Sequence, residues 1–250
     1  MMDNIHLDRK VGLGQEIVIR GPLLEALLFQ GGRLGSLHTL TDSEGDDYRA
    51  RILRLSEKEA SVLIFDRFLS STESAVEIIL LQALPEKERM ELIIQKTTEL
   101  GVSAIFPFKS AKSISLEERE SKQKKAHRWQ EIAIKAVQQS RRARVPRVDY
   151  LSSFKAALEV CESHTLKIVL WEKKGESLKE LLKSSRSKKI CALIGPEGGL
   201  SPTELAFLER SGFKPVYLGQ GVLRVDTAAI AAIAIVKNIV RETHAWRPVN

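Results

Sequence analysis

The chain has 250 residues and, with 39 Lys plus Arg against 32 Asp plus Glu, a net charge of +7 and an isoelectric point near 9.4. That length accommodates one large domain or two modest ones. The longest apolar stretch, Ala228 to Val236, is under half of the roughly 20 residues a membrane-spanning helix needs. No charged-then-apolar leader opens the chain, so a cytoplasmic protein with no membrane partner is expected.

Residues 1 to about 70 read as a small β-rich unit with candidate strands at Glu16 to Arg20, Leu34 to Leu40, Tyr48 to Leu55 and Ala60 to Phe68, separated by Gly, Asp and Ser turns. A small barrel fits this pattern. Ser70 to Ser74 is polar and non-periodic, as a linker would be, and the domains are expected at 1–72 and 73–250. Beyond the linker, short apolar runs at Val76 to Leu81, Val102 to Phe106, Lys167 to Trp171, Ile190 to Ile194 and Pro215 to Leu218 alternate with helical segments. Such runs indicate strands buried on both faces, and hence an α/β fold with a mostly parallel sheet.

Between the first two of these strands, Met90, Ile93, Ile94, Thr97 and Leu100 recur at helical spacing, with Pro85 at a first-turn position and Gly101 as the C-terminal cap. A longer helix is expected from Leu116 to Arg142, with Trp129, Ile132, Ala133, Ala136 and Val137 as its buried stripe. The basic excess is concentrated in this region. Between Lys109 and Arg147, 12 basic residues stand against 4 acidic ones. A stripe of this kind is the electrostatic footprint of a protein that meets a polyanion; a solvated helix face is the alternative.

Two cysteines, Cys161 and Cys191, lie 30 positions apart without a CxxC pair, which suits buried apolar packing. His6, His38, His127, His164 and His244 fall at no spacing that puts two ligands on one helix face, so no metal is expected.

The sharpest local feature is Leu193-Ile194-Gly195-Pro196-Glu197-Gly198-Gly199-Leu200-Ser201-Pro202-Thr203-Glu204. A buried strand ends in a glycine-rich loop and enters a helix, with Ser201 and Glu204 as a capping box and Pro202 at the first helical position. The glycines let a ligand approach the main chain without meeting a Cβ, and loops at the carboxyl ends of α/β strands are where small molecules bind. An ordinary tight turn is the alternative. A second strand-to-helix segment, Tyr217 to Ala228, contains Gly219, Gly221, Arg224 and Asp226. Arg224 and Asp226 are either functional groups at the mouth of a buried helix or a surface pair in which Asp226 caps that helix. No Gly-x-Gly-x-x-Gly at a first βα turn and no Gly-x-x-x-x-Gly-Lys-Ser/Thr is present, so neither a dinucleotide fold nor a P-loop is supported, and no Gly-x-Ser-x-Gly elbow appears.

Four blocks, in order, resemble the RsmE-type 16S ribosomal RNA (uracil-N3) methyltransferases of the SPOUT superfamily. They are Met90 to Val102, Trp129 through Gln139-Ser140-Arg141 to Val145-Pro146, Ile194 to Gly199, and Leu218-Gly219 with Leu223 to Ala228. The resemblance implies a trefoil-knotted SPOUT domain behind a PUA-like RNA-binding barrel, a homodimer, S-adenosyl-L-methionine as methyl donor, and a uridine of 16S rRNA in the 30S ribosomal subunit as target. A ribosome-binding protein that has lost catalysis, or a SPOUT enzyme with another RNA target, is the alternative. By resemblance, the donor would lie against Leu170, Trp171 and Glu172, the Ile194, Gly195, Pro196, Glu197, Gly198 and Gly199 loop, and Leu218, Gly219, Val222, Leu223, Thr227 and Ala228. Arg224 would hold the uracil or stabilise its negative charge, and Asp226 would orient Arg224 or assist deprotonation. The candidate RNA contacts are Arg33, Lys109, Lys112, Arg128, Arg141, Arg142 and Arg144. Gly221, Val225 and Asp226 stand where the family commonly has Arg, Thr and Glu.

Overall fold

The structure, a computed structural model, describes residues 5–68, 76–85, 87–113, 128–140, 142–151, 153–161, 166–172, 175–185 and 187–243. It divides into two compact units, Met1–Glu73 with Ile134–Val145, and Ser74–Ala133 with Pro146–Asn250. The expected linker at Ser70 to Ser74 lies outside the described residues.

In the first unit, strands β1 (Ile5–His6), β2 (Glu16–Arg20), β3 (Leu37–Thr41), β4 (Asp47–Leu55) and β5 (Glu59–Arg67) form one sheet in the order β1-β3-β4-β5-β2. It is antiparallel except where β1 runs parallel to β3. Alternation places Ile17 and Ile19 inward and Glu16, Val18 and Arg20 outward, and the inward side chains close a core with Leu40, Ile52, Val62 and Ile64. The strand-only reading of this unit missed a helix, α1 (Pro22–Phe29). Pro22 fits its first turn, Leu24 and Leu27 are buried in the same core, and Gly31, at φ 80, follows its end. The strand expected from Leu34 therefore begins only at Leu37.

Arg142 corrects the expectation of an outward basic face. It is 5% exposed; its backbone N–H donates to the Val137 carbonyl, and its own carbonyl accepts from Arg49 Nη2 at 3.2 Å. Ala143 is buried beside it, so the chain turns inward where it leaves the helix. Arg49, Arg142, Gln30 and His38 line a cavity of about 20 Å³.

The second unit is built on a seven-stranded sheet of β6 (Glu77–Ala83), β7 (Ala104–Phe108), β8 (Arg147–Val148), β9 (Leu166–Leu170), β10 (Glu176–Ser177), β11 (Lys189–Ile194) and β12 (Lys214–Tyr217). Its order is β10-β12-β9-β11-β6-β7-β8, and every one of these pairs is parallel, as the apolar runs predict. The register sets Leu193 of β11 beside Leu81 of β6 and Val169 of β9. Successive residues point to opposite faces. Ile78, Leu80, Ala192 and Ile194 enter a core with Met90, Ile94, Ala229 and Ile233, while Ile79, Leu81 and Leu193 enter another with Ala157, Leu208 and Phe213.

Helices cover both faces. α2 (Lys87–Leu100), α5 (Leu178–Ser184) and α7 (Val225–Thr243) supply the first core, and α4 (Phe154–Glu159) and α6 (Pro202–Arg210) the second. Met90, Ile93, Ile94 and Thr97 are buried in α2, and Gly101, at φ 104, ends it by donating its N–H to Thr97 and Thr98 carbonyls. Pro85 precedes the helix rather than entering its first turn. Of the long helix expected from Leu116, the described part is α3 (Trp129–Ser140), with Trp129, Ala133, Ala136 and Val137 buried and Ile132 half-buried; residues 114–127 lie outside the described residues. Cys161 and Cys191 are buried side by side. Among the described residues no helix is long and apolar enough to cross a membrane, and no cluster of His, Cys, Asp or Glu is placed to hold a metal ion.

Burial pushes His38 down from its ordinary 6.5 to about 4, and its Nε2 stands 2.8 Å from Ser36 Oγ. Above pH 6.5 the ring is neutral in both folded and unfolded chains and contributes no pH dependence. As pH falls from 6.5 toward 4, the unfolded chain gains a proton that the folded chain does not, so stability falls across that window by roughly 3 kcal/mol. Urea denaturation at pH 7 and pH 4.5 is expected to show this loss in the wild type and a smaller one in His38→Gln; equal losses would mean that other groups set the acid sensitivity.

Candidate active site

Strands β12, β9 and β11 are neighbours in a parallel sheet, so their carboxyl ends, and the segments that leave them, lie side by side. Three segments meet there. From β9 comes Leu170-Trp171-Glu172, with the Trp171 N–H donating to the Val216 carbonyl at 3.0 Å. From β11 comes Gly195 to Leu200, and from β12 comes Leu218 to Arg224. Between them lies a cavity of about 410 Å³, within the range of small-molecule sites.

The β11 loop owes its shape to its glycines. A Cβ on Gly195 would stand 3.2 Å from Leu200 Cγ, and one on Gly198 would stand 3.2 and 3.3 Å from Lys112 Cβ and Cδ. Gly199 is at φ 66 and donates its N–H to the Pro196 carbonyl at 2.8 Å, closing a turn. The expected capping box is present: Ser201 Oγ accepts from the Glu204 N–H at 3.2 Å, and Glu204 Oε2 accepts from the Ser201 N–H at 2.8 Å. Glu204 Oε1 also accepts from the Ala111 N–H at 2.8 Å. Arg89, from α2, pairs with Glu197 at 3.3 Å.

Fourteen of the fifteen residues expected to hold the donor line this cavity: Leu170, Trp171, Glu172, Ile194 to Gly199, Leu218, Gly219, Val222, Leu223 and Ala228. Thr227 is exposed and does not line it. Arg224 is exposed at the rim and lines the cavity, and its carbonyl accepts the first helical bond, from Ala228, at 2.8 Å. Asp226 is therefore not the N-cap of α7; it sits within the first turn, half-buried, with Oδ1 buried and without a hydrogen-bond partner among the described residues. Among those residues Arg224 and Asp226 are not paired with each other.

Lys109, Arg144 and Arg33 are exposed, and so is Arg128, which pairs with Glu131 at 3.7 Å. Arg141 lies outside the described residues. Lys112, expected among the RNA contacts, lines the cavity and donates from Nζ to the Gly198 carbonyl at 3.0 Å. Sequence reasoning did not place Arg89, Leu200 or Val216 at the cavity. Leu200 and Val216 adjoin the two loops in sequence and were within reach of that reasoning. Arg89, on a helix far along the chain, left no local signal.

A parallel α/β unit with a glycine-lined cavity at its strand ends defines a small-molecule-binding domain, and the comparisons with known proteins narrow the class. The RNA methyltransferase domain family matches residues 72–237. The ribosomal RNA small subunit methyltransferase E of Bacillus subtilis (strain 168) is 33% identical over 200 residues, covering 77% of this chain and 78% of that protein. The crystal structure of a ribosomal RNA small subunit methyltransferase E from Neisseria gonorrhoeae, bound to S-adenosyl methionine, aligns with a TM-score of 0.68 at 31% identity, over 94% of this chain and 96% of that one. A methyltransferase from Legionella pneumophila in complex with the bound cofactor SAM aligns with a TM-score of 0.66 at 27% identity, over 94% and 98%. The chain belongs to the RNA methyltransferase family and, within it, to the group of the small subunit methyltransferase E proteins.

Because Glu204 serves the helix cap with one oxygen and the Ala111 N–H with the other, Glu204→Ala is expected to lower the unfolding free energy by about 1–2 kcal/mol. Urea denaturation tests this, and an unchanged midpoint would show that neither bond steadies the loop.

Proposed function

We propose that this protein transfers a methyl group from S-adenosylmethionine to N3 of a uridine in the 16S rRNA of the small ribosomal subunit. The observation that carries the reading is that one cavity is lined by fourteen of the fifteen residues that the family resemblance assigns to the donor. Gly195, Gly198 and Gly199 leave main-chain groups bare along one wall, which suits recognition of an adenosine by backbone N–H and C=O groups. The residues present therefore fit the donor. When bound, S-adenosylmethionine supplies an electrophilic methyl group on a sulfonium centre.

The chain's own task is then to present uridine N3 in line with that methyl group and to help it lose its proton. Arg224, exposed at the rim, is the group for holding the uracil and stabilising the negative charge it acquires. Asp226, in the first turn of α7 with a buried oxygen that has no partner among the described residues, is the group for assisting proton removal; the absence of an Arg224–Asp226 pair among those residues favours this over an orienting role. Val222 and Leu223, which line the cavity yet remain exposed, support a homodimer in which a partner protomer covers them. The reading also includes a trefoil knot in the 73–250 domain and an RNA-binding PUA-like barrel at 1–72, for which the five-stranded sheet is support. A cytoplasmic setting follows from the substrate.

The test is to incubate the protein with methyl-labelled S-adenosylmethionine and, separately, small subunits and naked rRNA from cells lacking the activity. Label in 3-methyluridine supports the reading. Label in another nucleoside keeps the enzyme class and overturns the target, and donor binding without label favours a non-catalytic ribosome-binding protein. Arg224→Ala is expected to lower turnover by at least about 100-fold, in the range of a lost charge-stabilising donor, while calorimetry shows donor affinity within about threefold of wild type. Unchanged turnover would remove Arg224 from the mechanism.

A further inference from the structure

Lys112 belongs to the basic run that begins at Lys109, and charge alone would assign it to RNA. Its surroundings do not match that role. The segment after β7 is fastened to the β11 loop at two points: the Ala111 N–H donates to Glu204 Oε1 at 2.8 Å, and Lys112 Nζ donates to the Gly198 carbonyl at 3.0 Å. The Lys112 stem also lies against Gly198 so closely that a Cβ there would meet it at 3.2 Å. Lys112 and Lys109, three residues earlier, are both exposed, but only Lys112 lines the cavity and reaches the loop.

The geometry points to Lys112 as a positioning residue for the methyl donor: its ammonium, tied to the Gly198 carbonyl, holds the glycine-rich loop in its binding shape. The inference rests on the donor site proposed above. Glycines lose more conformational freedom on ordering than other residues, so a loop with Gly195, Gly198 and Gly199 would otherwise be ordered at the cost of donor affinity. A side chain that fixes one carbonyl from outside removes part of that cost before the donor arrives. Glu204 fixes the segment that carries Lys112, so the tie has a rigid base in the helix cap.

Lys112→Met keeps the stem and removes the ammonium, and Lys112→Arg restores a cation. Calorimetry with S-adenosylmethionine on the full chain is expected to show binding about three- to tenfold weaker for Lys112→Met, as for loss of a charge-assisted but solvent-accessible hydrogen bond, with Lys112→Arg within about twofold of wild type. KM for the donor rises by the same factor while kcat stays near wild type. In the donor-free protein, amide exchange at Gly199 and Leu200 is faster in Lys112→Met. RNA affinity and its salt dependence are unchanged, whereas a lost phosphate contact would lower the salt slope by about one. Wild type and Lys112→Met binding the donor equally, with equal exchange, would overturn the proposal, as would a reduced salt slope for RNA. Failure of the wild-type chain to bind the donor would overturn the donor-site reading and this proposal together.

Discussion

The parallel pairing of β12, β9 and β11 is the constraint on which the site depends. Parallel neighbours release their chains at the same edge, so three segments distant in sequence, around Trp171, Gly198 and Leu223, converge there. The pairing is in turn held by burial on both faces: Ile168, Ile190 and Ala192 enter one core, and Val169, Cys191 and Leu193 the other. A polar residue at any of these positions would disturb the sheet and the cavity together, because all three segments leave from these strands.

Rigid and bare backbone alternate at the cavity. Behind it stand α6, capped by Ser201 and Glu204, and α7, whose first bond closes on Arg224. Beside them lie stretches in which glycine replaces side chains and leaves the main chain bare along the cavity. Such a wall needs side chains from elsewhere to fix it, which is the setting in which Arg89 reaches Glu197 and Lys112 reaches Gly198.

Much of this was legible in the sequence because the relevant signals are local. Short apolar runs announced strands buried on both faces, and Ser201, Pro202 and Glu204 announced the start of a helix. Where sequence reasoning failed, the deciding contact was non-local. Nothing near Arg142 distinguishes it from its basic neighbours; it is buried because the chain turns inward beside Arg49, 93 positions away. Lys112 likewise resembles any member of a basic run until the fold brings Gly198 beneath it. The helix at Pro22–Phe29 is a different case. Its Gly-Pro start and Leu24/Leu27 spacing were readable, but strand signals on both sides outweighed them.

The most direct measurement is a crystal structure of this protein grown with S-adenosylmethionine. The donor is expected in the cavity at the ends of β9, β11 and β12, with its adenosine against the main chain of Gly195 to Gly199 and Leu218 to Leu223 and its methyl group open toward Arg224. A donor bound elsewhere on the chain, or a cavity that stays empty at donor concentrations that saturate binding in solution, would contradict the assignment of this site.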